Sequence, residues 1–318
     1  MKTVAVFALL GGLAAASPAN AETVQYFPLP DGAGPHDVAP APDGTVWYTA
    51  QGQGALGRLD PKTGGVKQIP LGDGSAPHGV IVGPDGAAWV TDGGLNAIVR
   101  VDPSSLAVKV YPLPQSGDYA NLNTAAFGKG GILWFTGQNG IYGSLDPATG
   151  EVAVHKDPEG RGPYGITATR DGTVYYASLA GSHIARIDAD TSTATIIEPP
   201  TRDQGARRVW SDSKSRIWVS EWNVGQVAVY DPDSGTWRSW RLPGDRPRAY
   251  AVYVDDHDKV WLSDFGANAV LRFDPDTETF TSFPSDRSNA NVRQLLGRPG
   301  EVWGAESGTD RLVVIRAD

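Results

Sequence analysis

Two sets of polar residues recur at fixed distances from an aromatic residue that repeats every 41 to 45 residues along the chain. The first set lies 11 residues before the aromatic residue, and the second lies three residues after it. Packing alone would not require residue types that differ so strongly between copies, so these positions are candidates for chemistry. The aromatic residues are Trp47, Trp89, Trp134, Tyr175, Trp218, Trp261 and Trp303; the first set is His36, His78, Asn123, Tyr164, Arg207, Tyr250 and Val292; the second set is Ala50, Asp92, Gly137, Ser178, Glu221, Asp264 and Glu306.

Arginine is concentrated in the later copies, at or next to the first set. A guanidinium group forms bidentate pairs with carboxylate or phosphate, so the predicted partner is a small anionic molecule or a peptide-like substrate. Acidic residues of the second set would partly neutralise the arginines, or would instead bond backbone amides in a structural role. The predicted ligand-binding residues are Arg207, Arg208, Arg248, Arg293, Glu221, Asp264, Glu306 and Asn291.

Three residues of the first set could transfer a proton. The phenol of Tyr250 and the imidazoles of His36 and His78 are the predicted catalytic groups, because both side-chain types act as general acids or bases. Each His follows a Pro, so capping of a strand start is the structural alternative for both. The spacing fixes no third ligand beside the two imidazoles, and the sequence therefore assigns no metal.

The elements that must position these residues are short strands. Each aromatic residue lies in an alternating apolar run, and similar runs fill the rest of each repeat. Turn sequences such as Pro-Asp-Gly at 42–44 and Asp-Pro-x-x-Gly at 60–64 separate the runs, and Gly and Asp supply the backbone conformations that tight turns need. Four strands in a repeat of about 42 residues are typical of a propeller blade. The sequence predicts an all-β, seven-bladed β-propeller with four antiparallel strands per blade.

The last repeat, which begins near Val292, has only three strand-like runs before the chain ends. The segment Val24–Leu29 resembles the fourth strand of an earlier copy. This N-terminal strand is therefore predicted to complete the last blade, which closes the ring and removes exposed strand edges. Residues 22–318 are accordingly predicted to form a single propeller domain.

Residues 1–21 have the pattern of a secretory signal peptide, with a basic start at Lys2, an apolar stretch and the small-residue site Ala19-Asn20-Ala21. The apolar stretch is too short for a comfortable membrane span, so the sequence predicts an exported protein, periplasmic or secreted, without a membrane span. The net charge of −9 argues against broad binding to nucleic acid. The chain contains no Cys, which excludes disulfides, thiolate metal sites and a catalytic Cys.

The repeats resemble those of the virginiamycin B lyase (streptogramin lyase) family. The resemblance covers all seven copies and is carried by segments such as Pro35-His36-Asp37-Val38, Trp218-Val219-Ser220-Glu221-Trp222 and Trp261-Leu262-Ser263-Asp264-Phe265-Gly266. It implies a seven-bladed propeller. It also implies an enzyme that opens a cyclic depsipeptide by elimination at its ester, with a Mg²⁺ ion that polarises the substrate and a His that acts as general base.

The catalytic motif of that family is not retained here. In place of Arg-Pro-His-Ala in blade six the chain has Arg246-Pro247-Arg248-Ala249-Tyr250-Ala251, and in place of Glu-Pro-His-Gly in blade seven it has Asn289-Ala290-Asn291-Val292-Arg293-Gln294. By spacing to the Trp, Tyr250 and Val292 occupy the two His positions; with a small shift, Arg248 and Arg293 do. Asn291 falls where the Glu is expected. No catalytic residue is carried over, and the cofactor is left open because several arginines disfavour bound Mg²⁺.

Three functions are compatible with these residues. The first is an exported lyase-like enzyme, a carbon–oxygen lyase that acts on an ester- or lactone-type substrate with an altered active site, in which the arginines stabilise enolate charge. The second is a non-catalytic propeller that binds an anionic ligand or a protein partner. The third is hydrolysis of a sugar lactone, which would need a calcium site of Glu221, Asp264 and Asn123 that the arginines oppose.

Overall fold

A computed structural model describes residues 22–114 and 119–316, which form seven four-stranded antiparallel sheets in a propeller ring. Blade 1 contains β2 (Pro35–Pro40), β3 (Val46–Ala50), β4 (Ala55–Asp60) and β5 (Gly65–Pro70). Blade 2 contains β6 (Pro77–Val82), β7 (Ala88–Asp92), β8 (Ala97–Val101) and β9 (Val108–Pro112). Blade 3 contains β10 (Leu122–Phe127), β11 (Leu133–Gly137), β12 (Ile141–Leu145) and β13 (Val152–Lys156). Blade 4 contains β14 (Pro163–Ala168), β15 (Val174–Ser178), β16 (His183–Asp188) and β17 (Thr193–Ile197).

The remaining blades repeat the same order of strands. Blade 5 contains β18 (Ala206–Ser211), β19 (Ile217–Glu221), β20 (Gln226–Asp231) and β21 (Thr236–Arg241). Blade 6 contains β22 (Ala249–Val254), β23 (Val260–Asp264), β24 (Ala269–Asp274) and β25 (Thr279–Pro284). Blade 7 contains β26 (Val292–Arg298), β27 (Glu301–Glu306), β28 (Arg311–Arg316) and the N-terminal β1 (Thr23–Pro28). Two 3-10 turns, Gln51–Gln53 and Lys129–Gly131, are the helical elements of the described residues. The predicted fold class is confirmed.

The N-terminal strand closes the ring as the sequence predicts. β1 pairs antiparallel with β28, from Thr23 opposite Arg316 to Pro28 opposite Arg311. The ring of Phe27 stacks on Trp303 of the same blade at 5.4 Å between centroids, and β26 packs beside β2 of blade 1. The predicted signal peptide lies outside the described residues. Within the described residues, no helix has the length and apolar character needed to cross a membrane.

The repeated aromatic residue of the second strand forms the core of each blade. Trp47, Trp89, Trp218, Trp261 and Trp303 are fully buried. In blades 2, 5 and 6 this indole stacks on an aromatic residue of the fourth strand at 5.6–5.8 Å. In blades 2, 5 and 6 an acidic residue of the preceding turn accepts a hydrogen bond from the indole Nε1, as Asp212 does from Trp218 at 3.0 Å. In these blades the turn acid satisfies the buried donor, whereas Nε1 of Trp47 and of Trp134 has no partner among the described residues.

Each innermost strand carries a β-bulge near its start, where one residue is left out of the ladder with the second strand. The N–H after the bulged position donates to a Thr or Ser hydroxyl of the second strand, as Asp37 N donates to Thr49 at 2.9 Å. That hydroxyl donates in turn to a carbonyl of the next blade, His78 O at 2.9 Å. We call this arrangement the hydroxyl link. It recurs from blade 2 to 3, from blade 3 to 4 and from blade 5 to 6.

Candidate functional site

Seven side chains, one from the bulge of each innermost strand, lie around the propeller axis; we call them the axial ring. Six of them are the predicted first set, but the seventh is Arg293 rather than Val292. In the pairing of the first two strands, Val292 lies opposite Glu306, as Pro35 lies opposite Ala50 in blade 1. Val292 therefore corresponds to Pro35, and the residue that follows it, Arg293, corresponds to the axial His36. The first hairpin of blade 7 is one residue shorter, which moves the axial position one residue closer to the Trp. The axial ring is His36, His78, Asn123, Tyr164, Arg207, Tyr250 and Arg293.

The two histidines of the axial ring are buried and stacked, with 3.7 Å between ring centroids. Both ring nitrogens of His78 are engaged by Asn123, since Nδ1 lies 3.0 Å from its carbonyl oxygen and Nε2 lies 3.3 Å from its side-chain Nδ2. His36 Nδ1 lies 2.8 Å from Asp37 Oδ1, so the Nδ1–H form donates to the carboxylate and leaves Nε2 as the basic nitrogen. Burial and neighbouring Arg208 lower the pKa of His36 well below its ordinary value. His36 is therefore neutral near pH 7.

A buried ion pair crosses the axis directly beneath the ring. Arg208 Nη2 of blade 5 donates to Asp37 Oδ1 of blade 1 at 2.9 Å, and Arg208 Nη1 donates to Thr124 of blade 3 at 2.6 Å. The side chains of Arg208 and Asp37 are 5% and 0% exposed. Burial raises the pKa of Asp37, and the positive charge of Arg208 opposes that shift. Arg208 is thus an internal group that joins three blades, and it does not reach the solvent-facing ligand surface predicted for it.

Tyr250 lies beneath the guanidinium of Arg207. The Arg207 guanidinium carbon is 3.7 Å from the centroid of the Tyr250 ring, and Phe265 stacks on the same ring at 4.7 Å. The Tyr250 hydroxyl shares a 2.7 Å hydrogen bond with Tyr164 and lies 3.5 Å from Arg293 Nη1. Burial alone would raise the pKa of the Tyr250 hydroxyl, but the positive charges around it bring that pKa below its ordinary value. This phenol is held where its anion is stabilised.

Three arginines lie toward solvent above this phenol, and we call them the arginine mouth: Arg207, Arg248 and Arg293. Arg207 and Arg293 are half-buried and Arg248 is exposed. The Arg207 fork donates to the Tyr164 hydroxyl at 2.9 Å, and Arg293 Nε donates to Ser307 at 2.8 Å. Arg207 Nε is buried and has no acceptor among the described residues. A buried donor without a protein partner remains available to a water or a ligand oxygen.

The predicted acidic partners do not neutralise the arginine mouth. Glu306 pairs with Arg311 of its own blade, and Asp264 Oδ1 accepts from the backbone N–H groups of Arg248 and Gly266 at 2.7 and 2.8 Å. Glu221 accepts from Gln226. The carbonyl of Asn291 accepts from Ser307 at 3.0 Å. These contacts follow the structural alternative, so the arginine mouth keeps its positive charge.

Glu221 provides a pH-dependent prediction. It is 1% exposed, and burial raises its pKa to about 7, against the hydrogen bond from Gln226. Between its ordinary pKa and about 7 the folded state keeps a proton that the unfolded state has lost, so stability falls as pH rises through this window. Glu221→Gln, which mimics the protonated acid, is expected to raise stability by about 2–3 kcal/mol at pH 8 and to change little at pH 5. Urea unfolding of both proteins at pH 5 and pH 8 measures the change in the free energy of unfolding. An equal change at the two pH values would contradict the raised pKa of Glu221.

The site does not fit a resident metal. His36, Asp37 and His78 place ligand atoms within 4.8 Å of one another, but Asp37 already accepts from a guanidinium and His78 is engaged by Asn123. Mg²⁺ requires oxygen ligands and is usually bound through carboxylates. The positions of the resembled motif hold Arg248, Tyr250, Asn291 and Arg293 instead. The Mg²⁺ implied by the resemblance would find no carboxylate at these positions. It would also meet the three guanidinium groups of the arginine mouth.

Sequence reasoning missed Asp37 and Thr124 as parts of the site. Asp37 and Thr124 each directly follow an axial residue, so a rule that reads the two residues of each bulge together would have found them. Tyr164 was assigned to the first set but not to proton transfer. Its hydroxyl contacts Tyr250 across the axis, and no sequence signal indicates a contact between residues 86 positions apart.

A sequence profile of the virginiamycin B lyase family matches residues 11–234. No curated protein matches the sequence at a significant level. A solved streptogramin B lyase is similar in structure, with a TM-score of 0.85 and 23% identity over 93% of this chain and 98% of that chain.

Two further solved structures come from Staphylococcus aureus virginiamycin B lyase. One is the selenomethionine-substituted enzyme, and the other is a catalytically inactive histidine-to-alanine variant with quinupristin. Each has a TM-score of 0.86 and 20% identity, and the similarity covers 94% of this chain and 100% of that chain. At these identities the structural likeness establishes the propeller fold and carries no activity over.

Proposed function

This chain belongs to the virginiamycin B lyase family, and from that premise we propose that it is an exported carbon–oxygen lyase that opens an ester- or lactone-type substrate by elimination. The proposed substrate carries a negative charge, because the arginine mouth has no acidic partner among the described residues. The reaction proceeds without a resident metal, since the residues that would hold one are arginine, tyrosine and asparagine. The axial ring is the proposed active site.

The observation that carries this proposal is the environment of Tyr250. Its phenol has a lowered pKa because the guanidinium groups of Arg207, Arg208 and Arg293 surround it, although burial opposes the shift. A base with a pKa brought toward the working pH is what proton abstraction next to a carbonyl requires. His36, whose Nδ1 is fixed by the Asp37 contact, is a much weaker base, because burial and Arg208 hold its pKa well below the ordinary value.

The elimination can be written with these groups in place. The Tyr250 phenolate removes a proton from the carbon next to a carbonyl, and Arg207 and Arg293 stabilise the negative charge that develops on the carbonyl oxygen. The electron pair of the C–H bond forms a C=C bond while the C–O bond to the ester oxygen breaks. The leaving group departs as a carboxylate, which the exposed Arg248 can pair with. No water is consumed.

An isotope experiment tests the reaction class. The protein without residues 1–21 is incubated with β-acyloxy carbonyl esters and lactones that carry a carboxylate, in H₂¹⁸O with EDTA, and the products are followed by mass spectrometry and by absorbance of the conjugated C=C bond. We expect an unsaturated product, no ¹⁸O in the released carboxylate and no effect of EDTA. Incorporation of ¹⁸O, or turnover that requires added Mg²⁺, would contradict the proposal.

One observation favours a second function, non-catalytic binding of an anionic ligand. Tyr250 is 1% exposed and His36 is 3% exposed, whereas Arg248 is open to solvent. If Arg207 does not move aside, an anion reaches the arginine mouth but not the phenol. Titration with dicarboxylates and phosphate esters, with product analysis on the same samples, separates the two functions. Salt-dependent binding without an unsaturated product would identify a binding protein.

A further inference from the structure

On the face of the propeller opposite the arginine mouth, the axis opens into a cavity of about 370 Å³. The C-terminal ends of the innermost strands line this cavity, and all seven blades contribute residues. We propose that this cavity binds a small organic cation with an aromatic or aliphatic body and a single positively charged head. This inference does not depend on the proposed lyase activity.

The side chains that form the walls of the cavity indicate that the bound ligand has an apolar body. They are largely apolar, with Ile81, Val82, Ile166 and Leu296 among the lining residues. Trp210 and Tyr253 meet edge to face on one side, at 5.2 Å between centroids and 62° between planes. Apolar concave sites of about 300–1,000 Å³ suit small ligands, and aromatic walls favour both an apolar body and a cation.

Charged residues at the rim of the cavity indicate which charge is favoured on the polar head of the ligand. A neighbouring pocket of about 230 Å³ shares Ala168 and Ser211 with the cavity, and Asp255, Asp256 and Asp258 lie along it. None of these three carboxylates pairs with a Lys or Arg within the described residues. Asp255 accepts a hydrogen bond from the Trp261 indole at 2.7 Å, Asp258 accepts one from the Ser213 N–H at 2.9 Å, and Asp256 contacts the His257 ring at 3.2 Å. Asp212 and Arg170 also line this pocket, and Asp212 is already paired with Arg216. Three carboxylates without a cationic partner against one arginine make this rim favour a cation over an anion.

The cavity is separate from the arginine mouth. The ion pair between Arg208 and Asp37 and the hydrogen bond from Arg208 to Thr124 cross the axis between them. One end of the axis therefore presents free guanidinium groups and the other presents carboxylates beside an apolar wall. A ligand at one end does not contact the other, so binding at the two ends can be measured independently.

Calorimetric titration with three matched probes tests the proposal. The probes are 2-phenylethylamine, 2-phenylethanol and 3-phenylpropionate, which share a body and differ in charge. We expect the amine to bind with an affinity about fivefold above that of the alcohol, a preference that shrinks at high salt. The acid can still bind at the arginine mouth, so we expect only that filling the cavity leaves its binding unchanged. Equal binding of amine and alcohol, or no binding of the amine, would overturn the proposal.

Two variants locate the binding. Ala168→Trp fills the wall shared by cavity and neighbouring pocket and should abolish amine binding, whereas Ala148→Trp, in an exposed turn of blade 3, should not. Asp256→Asn should reduce the preference for the amine over the alcohol, with the exposed Asp190→Asn in blade 4 as its control. Unchanged amine binding in folded Ala168→Trp, or an unchanged preference in Asp256→Asn, would overturn the assignment. The second variant keeps the test valid if the first does not fold.

Discussion

Replacing Tyr250 by Phe is expected to lower kcat/KM for elimination by about 10²–10⁴-fold, the usual contribution of a positioned general base. The change removes only the hydroxyl on which Tyr164 and Arg293 converge. The ring, with Arg207 on one face and Phe265 on the other, stays in place. Initial rates of formation of the unsaturated product measure the effect.

Tyr164→Phe is the matched control, because it deletes the other hydroxyl of the same buried hydrogen bond. Burial raises the pKa of Tyr164, so that hydroxyl stays protonated and is not a base. We expect both variants to melt at similar temperatures and only Tyr250→Phe to lose most activity. Tyr164→Phe should keep the base but move the pH dependence of the rate upward, because the hydrogen bond from Tyr164 helps to lower the pKa of Tyr250. The wild-type rate should rise with pH through a pKa below the ordinary Tyr value, and this rise should vanish in Tyr250→Phe. Equal loss of activity in the two variants would remove Tyr250 from the role of base.

Arg208→Met is expected to destabilise the protein by about 3–5 kcal/mol, the usual cost of breaking a buried ion pair by removing one partner. The substitution leaves the carboxylate of Asp37 at 0% exposure without its guanidinium and frees the Thr124 hydroxyl. The loss should be smaller at pH 5 than at pH 8, because an uncompensated buried carboxyl takes up a proton more readily at low pH. Denaturant unfolding at both pH values measures it.

Two controls separate charge from packing. The double variant Arg208→Met with Asp37→Asn removes both charges and should recover a large part of the lost stability, since it is the lone charge that is costly. Arg202→Met, at an exposed position, should change stability by less than about 0.5 kcal/mol. If the double variant were as unstable as Arg208→Met, the lost packing and not the unpaired charge would account for the effect.

The fold was predictable because its signals are local and repeated. The buried aromatic residue recurs in every repeat, and turn acids and hairpin glycines recur in several of them. Each serves packing or backbone geometry within its own blade. The missing fourth strand of the last repeat likewise predicted the pairing of β1 with β28. The assignment of Val292 to the axial position was wrong by one residue. Spacing to the Trp assumes first hairpins of equal length, and the first hairpin of blade 7 is one residue shorter.

The site was predictable only in part, because its contacts cross the ring. Arg208 and Asp37 are 171 residues apart, and nothing in either local sequence indicates the other. Glu306 was expected beside the arginine mouth but pairs with Arg311, five residues further on in its own blade. A repeat pattern shows which residues share a level of the propeller. It does not show which of them meet, since that depends on side-chain length and direction across the axis.

The hydroxyl link has a consequence for how such a protein can diverge. In a linked blade the axial residue is held through backbone atoms and by a neighbouring Thr or Ser, as Thr49 holds the N–H of Asp37 and the carbonyl of His78. The axial side chain itself is not needed to keep that backbone in place. The propeller backbone therefore tolerates exchange of imidazole for phenol or guanidinium at little structural cost. A family can in this way keep its fold while single substitutions at axial positions change the reaction performed there.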